Sequence, residues 1–212
     1  GLKRLCAKEA LKFVPDQGKI GLGGGETIGY LAENIKEAGK HVTVITPSET
    51  TRKKCLELGL TVEETGETSG LKIAFDGCDQ VDQRLNAYKS AGGIHTKEKI
   101  IARMAEEYVL LADETKIVKE LGYDIPIVLD IVPEALGYVR REIQTMGGRV
   151  RQRNEHLLET EFEGNPPLGE LDRRLKAMTG VIETSLFYQI AAKALIAGKD
   201  GVRVIEKTGE RK

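Results

Sequence analysis

Residues 19–35 read KIGLGGGETIGYLAENI, a short apolar strand followed by a glycine-rich turn and the start of a helix. Apolar residues in this helix recur at the i, i+3, i+4, i+7 spacing of one buried face, at Ile28, Leu31, Ala32 and Ile35. Strand and helix patterns continue to alternate, with helices over 27–38 and 49–58 and strands over 41–46, 71–76 and 108–113. This alternation predicts an α/β fold with a mainly parallel, Rossmann-like sheet and helices on both of its faces.

The pattern changes near residue 125. From there it predicts a strand, a helix, two strands, a helix and a strand, over 125–132, 133–146, 149–153, 156–162, 168–178 and 181–187. The order β-α-β-β-α-β is typical of a ferredoxin-like α+β domain. We therefore predict a catalytic domain over residues 1–124 and a smaller domain over 125–195. The tail, about 196–207, contains GVRVIEK and is predicted to return to the first sheet as one further strand.

Composition limits the class of partner. The 212 residues include 32 Lys and Arg against 33 Asp and Glu, a net charge of −1, so we expect neither nucleic acid nor an anionic membrane as a partner. No apolar run has membrane-spanning length, and the first residues show no signal-peptide pattern. Cys6, Cys55 and Cys78 are too few and too scattered for a disulfide framework. Free thiols fit a reducing compartment, so we expect a cytoplasmic protein.

The turn GLGGGET (21–27) is a candidate anion site. N–H groups at a helix start lack partners within the helix, and Gly23, Gly24 and Gly25 leave room for a ligand to approach closely. Two common phosphate-binding motifs do not match this turn, and a calcium-binding loop does not match the acidic segment DGCDQVD (76–82). A dinucleotide fingerprint needs a third glycine or alanine where Glu26 stands, and a Walker loop needs Gly-Lys-Ser/Thr after its four-residue gap. The acids of DGCDQVD stand at relative positions 1, 4 and 7, whereas a calcium loop uses 1, 3 and 5.

Residues 73–99, IAFDGCDQVDQRLNAYKSAGGIHTKEK, bring acids and an amine to the same edge of the sheet. The apolar strand runs directly into Asp76 and Asp79. Lys89 follows, and a glycine-containing turn then leads to Glu98 at the start of a helix. Open α/β sheets bind ligands at the carboxyl ends of their strands, so these groups are placed to bind a polyhydroxylated substrate and to move its protons.

Four motifs together resemble the type A ribose-5-phosphate isomerases. DGCDQVD (76–82) resembles the family's Asp-Gly-Ala-Asp-Glu segment, and KSAGGIHTKEKI (89–100) resembles its Lys-Gly-Gly-Gly loop and Glu-Lys helix. ADETK (112–116) resembles its Asp-x-x-Lys, and GLGGGET takes the place of a Gly-x-Gly-Thr-Gly-Ser-Thr loop. The resemblance runs from the first helix to at least residue 116 and continues more weakly beyond it. It implies an aldose–ketose isomerase that interconverts D-ribose 5-phosphate and D-ribulose 5-phosphate through an enediol(ate).

The resemblance also implies a role for each catalytic position. Glu98 matches the general base that moves a proton between C1 and C2. Asp76 matches the carboxylate associated with ring opening, and Asp79 matches the one that holds substrate hydroxyls. Lys89 matches the group that stabilises the oxyanion. Cys78 stands where the family has Ala, and we interpret it as a packing residue whose pKa the neighbouring carboxylates raise, not as a nucleophile.

The predicted substrate-binding positions surround the phosphate, the substrate chain and the oxyanion. They are Lys3, Gly24, Gly25, Glu26, Thr27, Gly77, Cys78, Ser90, Ala91, Gly92 and Lys116. By the resemblance, Lys3, Thr27 and Lys116 lie around the phosphate and the substrate chain. The N–H groups of residues 90–92 assist Lys89 at the oxyanion.

Isomerisation of this kind removes a proton α to a carbonyl, which needs a carboxylate base and donors aimed at the developing oxyanion. It needs no redox cofactor, and an ammonium with backbone N–H groups can take the place of a metal. His41, His95 and His156 lie far apart in sequence, without ligand spacing. We therefore expect neither a cofactor nor a metal, and His95, three residues before Glu98, is the alternative base.

The phosphate loop departs from the family pattern. Glu26 stands where the family usually has Ser, and Gly24 where it usually has Thr. Ser90 and Ala91 replace glycines in the oxyanion turn. Two alternatives therefore stay open, an isomerase of another sugar phosphate and a non-catalytic sugar-phosphate sensor. The intact set of acids and amine argues against a sensor. Family precedent implies a homodimer or a homotetramer.

Overall fold

The computed structural model describes residues 1–207. Within these residues there are fifteen strands: β1 (Gln17–Leu22), β2 (His41–Ile45), β3 (Thr61–Val62), β4 (Leu71–Asp76), β5 (Gln80–Asp82), β6 (Ala87–Tyr88), β7 (Ala105–Asp113), β8 (Ile117–Val118), β9 (Ile127–Ile131), β10 (Gly148–Gln152), β11 (Leu157–Phe162), β12 (Val181–Thr184), β13 (Leu186–Phe187), β14 (Lys193–Gly198) and β15 (Gly201–Glu206). The same part of the chain forms six α-helices: α1 (Leu2–Leu11), α2 (Glu26–Glu37), α3 (Glu49–Glu57), α4 (His95–Met104), α5 (Leu136–Thr145) and α6 (Leu168–Lys176).

Seven strands form the central sheet, in the order β15-β14-β7-β4-β1-β2-β3. Every neighbouring pair is parallel except β14 and β15. The structure thus confirms the predicted mainly parallel α/β sheet. Because β2 and β4 lie on opposite sides of β1, the strand order reverses between β1 and β4. Ligands of open α/β sheets bind at such a switch point.

Both faces of the central sheet are covered by helices. On one face, α1, α2 and α3 pack with Ile73 and Phe75 of β4. On the other face, Ala74 of the same strand packs with Ile101 and Ala102 of α4. Successive side chains of a strand point to opposite faces, which explains why one strand supplies both cores. The nearly continuous apolar run of β4 is typical of a strand buried on both faces.

A second sheet has the order β10-β11-β9-β12 and is antiparallel throughout. Helices α5 and α6 pack against it through a core that contains Val139, Ile143, Leu171 and Leu175. The elements follow the predicted order β-α-β-β-α-β. The placement of domain boundaries at residues 124 and 195 stays a prediction.

Two details differ from the sequence prediction. Residues 181–187 form two strands, β12 and β13, because the chain passes at Ser185 from the second sheet to a small third sheet, β13-β6-β5-β8. Strands of two or three residues are too short to show a periodicity, so this sheet had no sequence signal. The tail forms the hairpin β14–β15 where a single strand was expected. No helix within residues 1–207 combines the length and apolar composition needed to cross a membrane.

Candidate active site

Two turns meet at the switch point between β1 and β4. The glycine turn over 23–25 leaves β1 and opens α2, and the turn over 76–79 leaves β4. The loop that carries Lys89 and the first turn of α4, which carries Glu98, complete the arrangement. A cavity of about 1430 Å³ elsewhere on the molecule is lined by none of these side chains. The clustered ionisable groups, and not the cavity volume, therefore mark the candidate site.

The two turns depend on each other. Gly23 lies too close to the carboxylate of Asp76 to carry a side chain. Asp76 Oδ1 accepts hydrogen bonds from the N–H groups of Gly77 at 2.8 Å and Gly24 at 3.4 Å. No side chain within residues 1–207 caps the start of α2. The glycine turn therefore positions Asp76 and leaves N–H groups of α2 available to an anion.

Lys89 is the centre of the ionisable cluster. Its Nζ lies 3.0 Å from Asp76 Oδ2 and 2.8 Å from Glu98 Oε2, and it donates to the carbonyl oxygen of Gly77 at 2.6 Å. These three contacts use all three ammonium protons. All three charged side chains are nearly buried, with 6–8% of each exposed. The structure thus brings together three of the four predicted catalytic side chains.

Burial controls the protonation of this cluster. Burial raises the pKa of the Glu98 carboxyl well above its ordinary value, Lys89 opposes the rise, and Asp76 adds to it. For Lys89, burial acts to lower the pKa, but Asp76 and Glu98 together raise it, so this lysine stays charged. Two carboxylates share one ammonium, which favours the neutral form of Glu98. A carboxyl in this state can exchange a proton near neutral pH.

Cys78 lies inside the same turn as a neutral thiol. Burial raises its pKa to about 12, and the charges of Asp79 and Asp76 add smaller increases. The predicted direction is correct, but the predicted cause, the neighbouring carboxylates, is secondary to burial. The side chain belongs to the apolar core under α4.

Asp79 holds the loop that follows Lys89. Its Oδ2 accepts the N–H of Ser90 at 2.6 Å and the N–H of Ala91 at 3.0 Å. Two of the three N–H groups predicted to face the oxyanion are therefore donated to Asp79 in this structure. Gly92, the third predicted donor, is exposed at the tip of the loop.

Residues directly next to strands of the second sheet anchor this loop. The Ser90 hydroxyl donates to the carbonyl oxygen of Pro126 at 2.7 Å and lies 2.8 Å from the hydroxyl of Ser185. Arg153 Nη1 donates to the carbonyl oxygens of Ser90 at 2.9 Å and Ala91 at 3.2 Å, while Glu159 binds the same guanidinium. Sequence reasoning missed Arg153, because its partners lie about sixty residues away and the exposed strand RVRQR shows no signal for it.

A buried lysine fixes α4 beside Glu98. Lys99 Nζ donates to Glu183 Oε2 at 3.0 Å and to the carbonyl oxygens of Thr184 at 2.7 Å and Leu186 at 2.8 Å. Glu183 and Thr184 lie at the end of β12 and Leu186 begins β13, so the acceptors stand on both sides of the break at Ser185. The first turn of α4 is thereby tied to the point where the chain changes sheets. Lys99 is the lysine of the Glu-Lys pair in the helix motif, so the motif had already marked this residue in the sequence.

His95 is the alternative base by sequence position, but within residues 1–207 neither of its ring nitrogens is hydrogen-bonded to Lys89. Its Nε2 lies 3.1 Å from the carbonyl oxygen of Glu183, and burial lowers its pKa. It is therefore a neutral ring that packs toward β12. Glu98, in contrast, contacts Lys89 directly.

Glu26 and Lys3 form an ion pair at the start of α2. Lys3 Nζ lies 2.7 Å from Glu26 Oε2, and the Tyr30 hydroxyl donates to Glu26 Oε1 at 2.7 Å. More than half of each charged side chain is exposed, and Lys3 and then Tyr30 lower the pKa of Glu26. The carboxylate is thus turned toward α1 and solvent. Lys116, another predicted phosphate position, donates to the carbonyl oxygen of Cys78 at 3.1 Å.

No group of three or more His, Cys, Asp or Glu residues within 1–207 is arranged to hold a metal ion. Asp76 and Asp79, the nearest approach to such a pair in the sequence, have different partners. Asp76 binds the ammonium of Lys89, and Asp79 binds backbone N–H groups.

Comparisons with a family model, with related sequences and with solved structures all point to the same family. The family described as "Ribose 5-phosphate isomerase A (phosphoriboisomerase A)" matches residues 43–201. Ribose-5-phosphate isomerase A of Neisseria meningitidis serogroup C (strain 053442) is 34% identical over 217 aligned positions, covering 96% of this chain and 95% of that protein. The crystal structure of ribose 5 phosphate isomerase A from Neisseria gonorrhoeae has a TM-score of 0.90 at 30% identity, over 98% of this chain and 97% of that one. A D-ribose-5-phosphate isomerase solved in complex with phospho-erythronic acid has a TM-score of 0.87 at 26% identity, over 97% of each chain.

Proposed function

Since the chain belongs to the ribose 5-phosphate isomerase A family, we propose that its ribose-5-phosphate isomerase reaction runs on the cluster around Lys89, with Glu98 as the proton carrier. The isomerase activity itself, between D-ribose 5-phosphate and D-ribulose 5-phosphate, follows from the family. The observation that supports the assignment of Glu98 is its buried carboxylate, 2.8 Å from an ammonium that Asp76 shares. Neither alternative activity is favoured by the relatives.

The proposed proton path uses Glu98 twice. Glu98 takes the proton from C2 of the open-chain aldose, and the electron pair of that C–H bond forms the C1=C2 bond of the enediolate. The C1 oxygen gains negative charge. The C2 hydroxyl proton then passes to the C1 oxygen, and the electron pair left on the C2 oxygen forms the C2=O bond. The C1=C2 pair takes the proton that Glu98 returns to C1, and the ketose results. The raised pKa of Glu98 supports this path, because its acid and base forms are both accessible near neutral pH.

Lys89 is proposed to stabilise the charge that develops on oxygen. Its ammonium is buried, so its field acts with little screening by water. Its three protons already have acceptors, so the substrate oxygen must replace one of them. We assign the replaced contact to the Gly77 carbonyl, because that exchange keeps both carboxylates paired. Asp76, which stays on Lys89, is the proposed acid–base group for ring opening.

Asp79 is proposed to hold both the loop and the substrate. Its Oδ2 takes the N–H groups of Ser90 and Ala91, so Oδ1 is the atom that we assign to substrate hydroxyls. Gly92 at the loop tip is the proposed backbone donor to the oxyanion. Arg153, which binds the carbonyl groups of Ser90 and Ala91, is a proposed positioning residue for this loop.

The phosphate is proposed to bind at the start of α2. The N–H groups of Gly25 and Thr27, with the ammonium groups of Lys3 and Lys116, form the proposed site, and the N–H of Gly24 joins them by giving up its 3.4 Å bond to Asp76. Support comes from the absence of a side-chain cap at this helix start within the described residues. Glu26 faces Lys3, so the phosphate and Glu26 compete for the same ammonium.

We also propose that the protein is a homodimer or a homotetramer and that it works in the cytoplasm. The three cysteines are free and buried, which supports a reducing compartment. Light scattering on the purified protein would measure the assembly directly. A single species of monomer mass would contradict the oligomer.

A panel of five-carbon sugar phosphates, assayed in both directions, tests the substrate. We expect ribose 5-phosphate and ribulose 5-phosphate to have the highest kcat/KM. Phospho-erythronic acid, the ligand of one structural relative, is expected to inhibit competitively. A higher kcat/KM for another pentose phosphate, or inhibition that ribose 5-phosphate cannot relieve, would contradict the proposed site.

A further inference from the structure

Tyr108 lies beneath the ionisable cluster. It is on β7 opposite Ala74 of β4, and the next pair on the same face is Leu110 with Asp76. Partners in parallel strands point to the same side of the sheet, so the Tyr108 ring shares the face from which Asp76 projects. Helix α4 covers this face, and its residue Ile101 belongs to the same core as Tyr108. Glu98 precedes Ile101 by one helical turn.

The Tyr108 hydroxyl is buried without a partner. The residue is 2% exposed, and its hydroxyl oxygen has no hydrogen-bond partner within residues 1–207. The ring packs on Phe187, with 5.9 Å between the ring centroids. A phenyl ring would fill this space without the cost of removing a hydroxyl from water. Buried polar groups nearly always have a partner, so this hydroxyl indicates a partner outside the protein's own side chains.

The charged groups around the phenol identify that partner. Burial, followed by the charges of Asp76 and Glu98 and by the Cys78 thiol, raises the pKa of Tyr108 well above its usual range. The phenol is therefore a donor at every pH at which the enzyme works. Lys99 Nζ and Lys89 Nζ lie 4.9 Å and 6.0 Å from the centroid of the Phe187 ring, on which Tyr108 packs. Asp76 and Glu98 are the hydrogen-bond acceptors among these groups, and they are held together by the ammonium of Lys89.

We propose that Tyr108 is a positioning residue of the isomerase site, which donates a hydrogen bond, bridged by one buried water, to the carboxylate of Glu98 when that carboxylate is charged. This inference rests on the proposed role of Glu98. Two carboxylates share the single ammonium of Lys89, so the charged form of Glu98 lacks a full complement of donors. A water in this place has the two or more polar partners that buried waters need, from the phenol, Glu98 and Asp76.

The hydroxyl supports the base form without touching the substrate. Loss of a donor to a carboxylate raises the pKa of that carboxylate. Tyr108 therefore sets the pH at which Glu98 becomes a base, and substrate affinity does not depend on it.

Tyr108→Phe tests the proposal, because it removes one oxygen and keeps the ring. We expect the acidic limb of the kcat profile to move upward by about 0.5–1 pH unit, with KM within about twofold. The matched control is Tyr88→Phe, whose buried hydroxyl donates to the Gly122 carbonyl and whose ring lies in the core of the second sheet. Tyr88→Phe is expected to lower the melting temperature and to leave the acidic limb of the kcat profile at its wild-type pH.

A second readout does not depend on turnover. The melting temperature of Tyr108→Phe should fall further below that of wild type as pH rises, because only charged Glu98 needs the donor. In a Glu98→Gln background that pH dependence should vanish. An unmoved kcat limb, a fall in kcat that is equal at every pH, or a pH dependence that persists in the Glu98→Gln background would each overturn the inference. Failure of Glu98 as the base is a separate result, read from proton exchange in Glu98→Gln alone.

Discussion

Gly23 lies against the carboxylate of Asp76 so closely that a Cβ on Gly23 would be 1.9 Å from Asp76 Oδ1 and 2.1 Å from Asp76 Cγ. The glycine turn and the acidic turn are therefore one structural unit. Asp76 in turn orients Lys89, which contacts Glu98. A change in the backbone turn after β1 is thus transmitted to Glu98, the proposed proton carrier, through two contacts.

Gly23→Ala is expected to lower kcat by at least about tenfold, because the methyl group must displace Asp76 from Lys89 and misplacement of a catalytic group is costly. The backbone angles at Gly23 are open to alanine, so the effect is one of contact. Gly66→Ala is the matched control, since a Cβ there has no atom within 4 Å. Steady-state kinetics of both variants decide the matter. Equal kcat values would show that Asp76 tolerates the shift.

Glu98→Gln is expected to remove nearly all turnover, by about 10²–10⁴-fold, with substrate affinity within a few fold of wild type. The amide keeps the shape and loses the base. NMR measurement of solvent exchange at C2 should show that exchange disappears as well. Glu106→Gln, an exposed change on β7, is the control. Exchange at the wild-type rate in Glu98→Gln would assign the base to another group, with His95 as the next candidate.

The raised pKa of Glu98 predicts a pH-dependent stability. A carboxyl whose folded pKa lies above its unfolded value near 4.5 binds more protons in the folded state between the two values. The free energy of unfolding therefore falls as pH rises from about 4.5 through the raised folded pKa. Urea unfolding across this range should show that wild type loses stability relative to Glu98→Gln. Parallel curves for the two proteins would place the Glu98 pKa at its ordinary value.

Glu26→Ser is expected to lower KM for ribose 5-phosphate by about two- to fivefold at low salt, because it frees Lys3 for the phosphate. The gain should shrink at high salt, since the pair is exposed and screened. Glu33→Ser is the matched control, because Glu33 lies on the same helix and pairs with Lys54. An unchanged KM at both salt concentrations would mean that Lys3 does not meet the phosphate. Outright loss of activity would mean that Glu26 itself contacts the substrate.

Dialysis against EDTA is expected to leave activity unchanged, because the ammonium of Lys89 is placed to carry the oxyanion charge that a metal would otherwise carry. Kinetics before and after dialysis, with Mg²⁺ and Zn²⁺ added back separately, provide the measurement. Loss of activity that one of these metals restores would overturn the assignment of Lys89.

Features that repeat within one segment could be predicted without the structure. The helix face at Ile28, Leu31 and Ile35 and the apolar run of β4 are local patterns, and each is buried as predicted. Asp76 and the glycine turn could be placed at the same edge of the sheet because parallel strands bring their carboxyl ends together. Lys89 and Glu98 could be assigned from motif resemblance, since their spacing along the chain is short.

Contacts across the fold were decided by tertiary structure. Glu26 contacts Lys3, 23 residues away in sequence, and Arg153 contacts the carbonyl of Ser90, 63 residues away. The pattern of residues within one segment does not show which distant segment it will contact. The hydroxyl of Tyr108 stands in an apolar run, which marked this tyrosine only as a strand residue. Burial is also a property of the assembled fold, and burial is what raises the pKa of Glu98. Sequence therefore determined which chemical groups stand at the edge of the sheet, while packing determined which of them touch and which hold their protons.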